Sequence, residues 1–584
     1  MVRYHVELAD LQAHHYRVTL TLTQPAARQR LSLPVWIPGS YLVREFSRHL
    51  SGLQARQGRE TRPLRQIDKC SWEVDCSGRA ALTVTWLVYA FDASVRTAWL
   101  DSQRGFFNGT SLFLCPAGRE HDEQIVTLGD LPDGWQVSTG LPGSPKKGYA
   151  APDYDALIDH PFELGPFWIG HFEACGVPHE FVVAGAAPGF DGQRLLADTR
   201  RICEAQIRFW HGEQRPPFDR YVFQLAVVDD GYGGLEHRNS TALIAGRRDL
   251  PRVGQAATEL TEGYVTLLGL ISHEYFHTWN VKRLKPAEFV PYDLSRENHT
   301  ELLWFFEGFT SYYDDLFLLR CGLIDAARYL KLLAKTINQV LATPGRQVQS
   351  VAQASFDAWL KYYRPDENTA NATVSYYTKG ALVALTLDLR LRGEGRGSLD
   401  DVMRRLWQTS GAADGRDGPI THQDIAAALQ AVGRRRDPQA WAAELEALVR
   451  GTDELPLASL LADVLGYGWR HEPPTVAQRL GARVADGSLK VQAVQRDSAA
   501  ERAGLAAGDE LLALNGWRLA RLDDLLLYGG LDAPQTLLVA RDRRVLTLQL
   551  PASRPVGLVT LAPQDKASAL TLRRRGAWAA PSGG

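Results

Sequence analysis

The spacing of apolar residues changes once along the chain, and this change constrains the fold more than any other feature of the sequence. Up to about residue 175, segments such as Tyr16–Leu22 and Ala81–Val88 alternate apolar and polar residues between turns, which is the spacing of strands. Beyond about residue 190 the spacing becomes helical, first over Leu195–Trp210 and then over Glu259–Trp279 and Leu302–Leu319. The sequence therefore predicts a multidomain α+β protein with a β-sandwich-like N-terminal domain and a mainly helical second domain.

Composition excludes several classes of protein. The chain has 584 residues, of which 45% are hydrophobic and 23% are charged, so it is long enough for several globular domains and is not largely disordered. Its formal net charge is −2. A chain so close to neutrality has no overall field that would attract nucleic acid or an anionic membrane, and we expect neither as a partner.

The location of the protein is also constrained by the sequence. Its six cysteines form no Cys-x-x-Cys pair, which is typical of thiols in a reducing compartment. The first residues lack a basic segment followed by an apolar run, and no stretch of about 18 apolar residues occurs. We therefore expect a cytoplasmic protein without a signal peptide or a membrane-spanning segment.

The C-terminal part begins after a stretch rich in Gly, Pro and charge over residues 466–475. It contains a short helical pattern at Asp497–Leu505, then Gly508–Leu512 with strand character, then an Asn-Gly turn at residues 515–516. This order resembles the core of a PDZ domain. We predict domains over residues 1–175, 176–466 and 470–556, and a flexible tail over residues 557–584.

Chemistry is indicated by the pentapeptide His273-Glu274-Tyr275-Phe276-His277, which lies in the second helical run. Residues i and i+4 share one face of a helix, so the two imidazoles can bind one metal ion while Glu274 addresses a water molecule. Nitrogen ligands with one carboxylate favour a catalytic zinc ion, with one Zn²⁺ per chain. The alternative is a pair of ordinary helix histidines.

Glu307 is the candidate third ligand, because it lies among Phe305, Phe306 and Phe309, where a carboxylate without a partner would be costly to bury. The alternative is that Glu307 lies on a solvated face of its helix.

At this point the chain resembles a known family. The zinc motif, Tyr232–His237 upstream, Tyr377–Gly380 downstream and Trp36–Arg44 near the N-terminus are similar to the glycyl aminopeptidases, zinc peptidases of clan MA, family sixty-one. The resemblance spans about residues 1–555. It implies a β-rich N-terminal domain, a thermolysin-like catalytic domain and a C-terminal PDZ domain.

The resemblance also implies roles for single residues. The zinc ligands would be His273, His277 and Glu307, and Glu274 would be the general base. Gly233, Gly234, Glu236 and His237 would bind substrate, with Glu236 accepting from the free amino terminus, and Tyr377 would donate a hydrogen bond to the oxyanion. Thermolysin has an aspartate that braces a zinc histidine where this chain has Ser311, so the residue that orients the histidines stays open.

Each accessory motif has a simpler interpretation as well. The two glycines are also typical of a strand bulge, and Glu236 of a surface carboxylate. His237 would either touch substrate or brace Glu236, and at most one of the adjacent tyrosines 376 and 377 can face the zinc. The basic cluster Lys282–Lys285 ends the zinc helix, where positive charge complements the helix dipole.

Three functions fit these observations. The first is a zinc aminopeptidase acting on peptides with a free amino terminus, with the family's preference for Gly and Ala. The second is a zinc endopeptidase that holds substrates through the PDZ domain. The third is a non-catalytic PDZ scaffold, which is disfavoured because all the expected ligands are present. The PDZ loop near Leu480–Val484 would bind a peptide C-terminus or a segment of the same chain.

Overall fold

The structure is a computed structural model that describes residues 2–256, 258–485, 487–553 and 557–580. The chain divides into two compact units. The first contains the described residues up to Asn298 together with Trp407–Ile420, and the second contains His299–Leu406 and Thr421–Ala580. No helix among the described residues has the length and the apolar character needed to cross a membrane.

The first unit begins with strands that form three sheets. The strands are β1 (Val2–Asp10), β2 (His15–Leu22), β3 (Arg28–Ser32), β4 (Leu50–Gln57), β5 (Glu60–Arg62), β6 (Leu64–Asp68), β7 (Ser71–Asp75), β8 (Leu82–Tyr89), β9 (Ala98–Leu100), β10 (Gly105–Phe107), β11 (Cys115–Pro116), β12 (Gln124–Leu128), β13 (Gln136–Ser138), β14 (Gly143–Ser144), β15 (Gly148–Ala151) and β16 (Phe162–Gly165). Their orders are β14-β15-β12-β1-β2-β8-β4-β5, β13-β16-β10-β9 and β11-β3-β7-β6. Both predicted strand segments are confirmed, because β2 and β8 bury alternate residues.

A five-stranded sheet follows and carries one side of the candidate site. Its strands are β17 (Trp168–Ala174), β18 (Val177–Ala184), β19 (Tyr221–Val228), β20 (Gly233–Glu236) and β21 (Ser240–Gly246), in the order β17-β18-β19-β21-β20. The strand β17 pairs antiparallel with β18, so this sheet begins before residue 175. The strand β20 lies at the edge of the sheet, antiparallel to β21.

The helices of the first unit connect and cover these sheets. They are α1 (Gly109–Leu112), α2 (Tyr154–Ile158), α3 (Gly192–His211) and α4 (Glu262–Phe276). The strands β18 and β19 are parallel, which requires a crossover connection, and α3 provides it. A short parallel pair, β22 (Leu284–Pro286) with β23 (Gly418–Ile420), completes the unit.

The second unit is mainly helical. Its helices before residue 466 are α5 (Leu303–Arg320), α6 (Ala326–Leu341), α7 (Val351–Phe356), α8 (Thr369–Ala372), α9 (Tyr376–Glu394), α10 (Leu399–Thr409), α11 (His422–Gly433), α12 (Ala440–Arg450) and α13 (Leu457–Leu460). The run predicted as a helix over Leu302–Leu319 is confirmed as α5, with each end shifted by one residue.

The C-terminal part of the second unit has an apolar core of its own, formed by residues between Val476 and Leu550. Its elements are β24 (Tyr467–Glu472), α14 (Val476–Leu480), β25 (Ala482–Val484), β26 (Val491–Val494), α15 (Ala499–Ala503), β27 (Glu510–Leu514), β28 (Trp517–Arg518), α16 (Asp524–Tyr528), β29 (Gln535–Arg541), β30 (Arg544–Leu550), β31 (Leu558–Pro563) and α17 (Ala569–Ala579). The strands β28, β27, β29 and β30 form one sheet in that order.

The predicted flexible tail is wrong for the residues that the structure describes. The strand β31 pairs antiparallel with β24, and α17 buries Trp578 completely. The Trp578 indole donates to the Tyr312 hydroxyl at 3.0 Å, and the Arg320 guanidinium donates to the Trp578 carbonyl at 3.1 Å. The chain therefore returns from the C-terminal core to pack on α5. Residues 581–584 of the predicted tail lie outside the described residues.

Candidate active site

The two histidines of the pentapeptide lie at the C-terminal end of α4. Thr261 caps the N-terminus of this helix by accepting from the Tyr264 amide at 3.1 Å, and His277 follows the last helical residue with helical backbone angles. The Nε2 atoms of His273 and His277 are 3.1 Å apart, a separation that a shared metal ion can bridge. The predicted helix is therefore confirmed, although it is shorter at both ends than Glu259–Trp279.

His277 is held in a defined orientation by the turn that follows the helix. Its Nδ1–H donates to the Asn280 carbonyl at 2.7 Å, which leaves the lone pair of Nε2 for a metal ion. The imidazole is buried, with 1% of His277 exposed. The sequence left open what orients this histidine. A backbone carbonyl does so, and no residue type in the sequence signals that contact.

The backbone before His273 is fixed from α3. The side-chain amide of Gln206, which is fully buried, donates to the Ser272 carbonyl at 2.8 Å. This hydrogen bond joins the zinc-motif helix to the helix that covers the five-stranded sheet.

Glu274 lies against the edge strand β20. It is 5% exposed, and a Cβ atom added at Gly234 would lie 2.1 Å from its Oε1 atom. Only glycine therefore allows the strand and this carboxylate to be so close. The Gly234 carbonyl accepts from the Arg96 guanidinium at 3.4 Å, a contact with a residue of the N-terminal segment.

Glu236 lies two residues after Gly234, on the same face of β20. It is buried, with 4% of the residue exposed. Its Oε1 atom accepts no hydrogen bond from any residue that the structure describes. The loop around Gly39 covers it, because a Cβ at Gly39 would lie 2.6 Å from both carboxylate oxygens. The φ angle of Gly39 is +91°, which also favours glycine there. The alternative of an exposed surface carboxylate is excluded by this burial.

His237 is buried and binds Asp159. Its Nδ1–H donates to Oδ1 of Asp159 at 3.1 Å, and 1% of the histidine is exposed. Burial lowers the pKa of His237, so the neutral ring with its proton on Nδ1 is favoured. The Nδ1–H hydrogen bond joins His237 to Asp159 and not to Glu236, so both roles considered for His237 stay predictions.

The basic cluster after the zinc helix is bound by carboxylates and carbonyls. Lys282 forms an ion pair with Asp159 at 2.6 Å and Lys285 one with Asp417 at 2.9 Å, although both lysines are buried. Arg283 donates to the Thr278 carbonyl at 2.6 Å. Each of these side chains therefore has a specific partner, and the interpretation as charge complementing the helix dipole stays a prediction.

In the second unit, Glu307 lies on α5 and is 2% exposed. The helices α5 and α9 approach each other at two glycines, because a Cβ at Gly308 would lie 2.5 Å from the Gly380 Cα atom. This close approach places Glu307 near the first turn of α9, where the adjacent tyrosines 376 and 377 lie. The alternative of a solvated face is excluded for Glu307.

The two adjacent tyrosines differ in environment. Tyr376 is fully buried, whereas Tyr377 is partly exposed, and their rings stack with centroids 4.8 Å apart. Burial raises the pKa of Tyr377 well above its usual value, and the charge of Glu307 raises it further. The Tyr377 hydroxyl therefore stays protonated at neutral pH and can act as a donor.

Among the described residues, His273, His277 and Glu307 form a group whose potential ligand atoms all lie within 4.8 Å of one another. Two imidazole nitrogens and one carboxylate are the donor set of catalytic zinc sites, and the fixed Nδ1–H of His277 leaves the correct nitrogen available. The residues present fit a single zinc ion.

Sequence reasoning missed three contributions, which come from Asn280, Gly39 and Asp159. Gly39 lies in the segment Trp36–Arg44 that carries the family resemblance, so its position could have been singled out. Asn280 contributes only its carbonyl, and Asp159 is far from the zinc motif in sequence, so neither carries a local signal.

Comparison with known proteins gives the following similarities. The family model described as M61 glycyl aminopeptidase matches residues 266–383, and the model described as Peptidase M61 N-terminal domain matches residues 3–166. A crystal structure of an aminopeptidase N family protein from Idiomarina loihiensis has 37% sequence identity and a TM-score of 0.90, with 100% of each chain covered.

Two more distant structures are also similar. An M1 zinc metallopeptidase from Deinococcus radiodurans has 14% identity and a TM-score of 0.47, with 78% of this chain and 94% of that chain covered. A mutant of that peptidase, bound to a Tyr-Ser-Ala substrate, has 15% identity and a TM-score of 0.46 over the same shares of the two chains. No curated protein matches.

Proposed function

Because this chain belongs to the M61 peptidase family, we propose that it is a zinc-dependent aminopeptidase, which removes N-terminal residues from peptides by attack of water on the first peptide bond. Peptidase activity follows from the family, and a single zinc ion fits the donor set. The aminopeptidase specificity and the residue roles below are our proposals.

His273, His277 and Glu307 would hold the ion. Bound zinc supplies a Lewis acid that polarises the scissile carbonyl and lowers the pKa of water toward about 7. The turn at Asn280 keeps the His277 ring in the orientation that this binding needs, through the hydrogen bond at 2.7 Å.

Glu274 would take the proton from the attacking water and later deliver it to the leaving amine. Its position beside Gly234 supports this role, because a substrate backbone that lies along β20 would pass next to the carboxylate. The partly exposed Tyr377 would donate a hydrogen bond to the developing oxyanion, and its raised pKa keeps the proton in place.

The observation that carries the aminopeptidase proposal is the buried carboxylate of Glu236. A buried carboxylate is costly unless a cation or donors meet it, and Oε1 meets no donor among the described residues. The ammonium group at the amino terminus of a peptide would supply the missing positive charge. Such a charge-assisted contact is short and strong, and losing it should cost about 2–5 kcal/mol.

The deciding experiment compares glycine and alanine anilides with a free amino group against their acetylated forms, at equal concentration. We expect the wild-type protein to cleave only the free amines. Glu236→Gln keeps the shape of the side chain but removes its charge, so kcat/KM for free amines should fall at least about 30-fold while zinc is retained. Rapid cleavage of acetylated substrates, or of internal bonds in an unfolded protein, would favour the endopeptidase.

We also propose a preference for Gly and Ala at the substrate's first position. The description of the family as glycyl aminopeptidases supports it. So does the loop at Gly39, because it closes on Glu236, and the first side chain of the substrate branches from the same Cα atom as the ammonium that this carboxylate would bind. A panel of anilides tests this: kcat/KM should fall from Gly and Ala to Leu and Phe, and an equal rate for Phe would contradict it.

For residues 470–556 we propose a PDZ domain that binds a peptide C-terminus by strand addition. Its separate apolar core and its small sheet support this proposal, and among the described residues no strand pairs with the second edge of β25. Asp486 and residues 554–556 of this range lie outside the described residues. Titration of the protein with peptides that carry free or amidated C-termini tests it, since only the free carboxylate should bind.

We further propose a reducing compartment such as the cytoplasm, which the free thiols of all six cysteines support. Fractionation of the source cells, followed by immunoblotting, tests this location.

A further inference from the structure

Asp159 joins two segments on which the proposed reaction depends. It follows the last residue of α2, in the segment that matches the family's N-terminal domain model. Its carboxylate accepts from Nδ1–H of His237 at 3.1 Å, from the Arg238 amide at 3.0 Å and from Nζ of Lys282 at 2.6 Å. Three donors from two distant parts of the sequence therefore converge on one carboxylate.

The first of these parts is the end of the edge strand β20. Glu236 is the last residue of the strand, and the two residues that follow it both donate to Asp159. An edge strand is bonded on one side only, so its end is easily displaced unless another element holds it. Asp159 supplies that hold on the residue next to Glu236.

The second part is the turn after the zinc-motif helix. The amide of Lys282 donates to the carbonyl of His277 at 3.1 Å, while the Lys282 ammonium reaches Asp159. Within the same turn, the Asn280 carbonyl accepts from the His277 ring. The ion pair to Asp159 therefore fixes the far end of the turn that orients a zinc ligand.

We propose that Asp159 is a positioning residue of the peptidase site, which sets the Glu236 carboxylate and the His277 imidazole relative to each other through one buried carboxylate. The part of this proposal that concerns substrate binding by Glu236 rests on the proposed aminopeptidase function. It assigns to the N-terminal segment a part in the reaction that the zinc motif alone does not reveal.

The carboxylate is needed for its charge as well as its shape. Lys282 is 4% exposed, and a buried ammonium requires a negative partner. Burial by itself would raise the pKa of Asp159, but the charge of Lys282 and the hydrogen bond from His237 hold it well below its usual value. Asp159 is therefore ionised at neutral pH, and an asparagine in its place would have a similar shape but would leave Lys282 without a counter-charge.

The experiment uses the zinc-loaded full-length protein and two measurements. The first is the rate of zinc loss to a chelator in excess, and the second is KM for a glycine anilide. We expect Asp159→Asn to accelerate zinc loss about tenfold and to raise KM about tenfold, since changes to residues that orient metal ligands typically cost 10–100-fold. In the Glu236→Gln background, Asp159→Asn should raise KM by less than about threefold, because the two changes act through one contact.

Glu163→Gln is the matched control. Glu163 is also a buried carboxylate of the N-terminal segment, 1% exposed, and it binds the Arg104 guanidinium with two hydrogen bonds of 2.7 and 2.8 Å. Losing this pair should lower the melting temperature but leave zinc loss and KM at their wild-type values. If Asp159→Asn behaves in the same way, its role is structural only and the proposal is overturned.

Two further variants separate the effect on the metal-binding turn from the effect on Glu236, and they replace Asp159→Asn if that variant does not fold. Lys282→Gln should accelerate zinc loss and leave KM within about twofold, whereas His237→Gln should raise KM and leave zinc loss unchanged. The reverse pattern, or no change in either variant, would overturn the proposal. If the wild-type protein cleaves no N-terminal residue, the aminopeptidase function fails, and the zinc-loss rates alone then decide whether Asp159 positions the metal-binding turn.

Discussion

Replacing Gly234 by alanine tests the position of Glu274, the proposed general base, without changing Glu274 itself. The added Cβ would lie 2.1 Å from Oε1, 2.3 Å from Cδ and 2.5 Å from Cγ of Glu274. All three distances are far below normal van der Waals contact, so the carboxylate has to move by about 1 Å or the edge strand has to withdraw. A misplacement of about 1 Å in an active site costs about 10²-fold in rate. We expect kcat to fall by about that factor.

The assay measures kcat with a glycine anilide at saturating concentration, together with zinc content by elemental analysis. Zinc should be retained, because Gly234→Ala touches none of the three proposed ligands. Gly468→Ala is the control for a glycine replaced within a strand, since its Cβ would approach no side-chain atom closer than 3.6 Å. This control should keep full activity.

Two results would refute the reasoning. If Gly234→Ala keeps kcat within about twofold of the wild type, the position of Glu274 beside β20 is not the one that catalysis uses, and its role as base has to be withdrawn. If zinc is lost instead, the strand acts on the metal ligands rather than on the base.

Three other outcomes follow from the site and its surroundings. Glu274→Gln should retain zinc and lose most turnover, about 10²–10⁴-fold in kcat, as measured by the same anilide assay and elemental analysis. Tyr377→Phe should lower kcat by about 10²–10³-fold with little change in KM, whereas the same change at the buried Tyr376 should not; the opposite result would shift the proposed donor by one residue. Asp400 is buried, which would raise its pKa, but the charges of Arg320 and Arg392 outweigh burial and lower it. The stability that ionised Asp400 contributes is thus present above the unfolded-state pKa of about 3.9, and it is lost as the pH falls through the lower folded-state pKa. We therefore expect the unfolding free energy of Asp400→Asn to fall less at acid pH than that of the wild type. Urea unfolding between about pH 3 and pH 7 measures this difference.

The regular elements could be predicted because their signals are local. Alternating burial in β8 follows directly from the alternation of apolar residues over Leu82–Tyr89, and α5 follows from its apolar spacing. The pentapeptide is equally local, since two histidines four residues apart share a helix face wherever that helix lies. Such features need no knowledge of the rest of the molecule.

The parts that could not be predicted depend on contacts between distant residues. The sequence after residue 557 predicts a tail because it is rich in arginine and small residues. Trp578 is nevertheless fully buried and hydrogen-bonded to α5, and no local pattern predicts those contacts. Asn280 orients His277 through its backbone carbonyl, a group that every residue type has. For the same reason, the sequence could not tell that Asp159 lies between β20 and the turn after α4.

Glycines mark the positions where the backbone comes close to the acidic residues of the candidate site. Gly39 and Gly234 each lie where a Cβ would enter the carboxylate of Glu236 or Glu274, and Gly308 lies beside Glu307 where two helices touch. In each case a backbone approaches an acidic side chain, or the helix that carries it, more closely than any other residue permits. Backbone is the one component that can enclose a carboxylate without adding a competing charge or filling the space that a substrate needs. Gly39 and Gly234 each leave room beside a buried glutamate for which we propose a role in the reaction, and we predict that alanine at either of these two glycines impairs turnover before it impairs zinc binding.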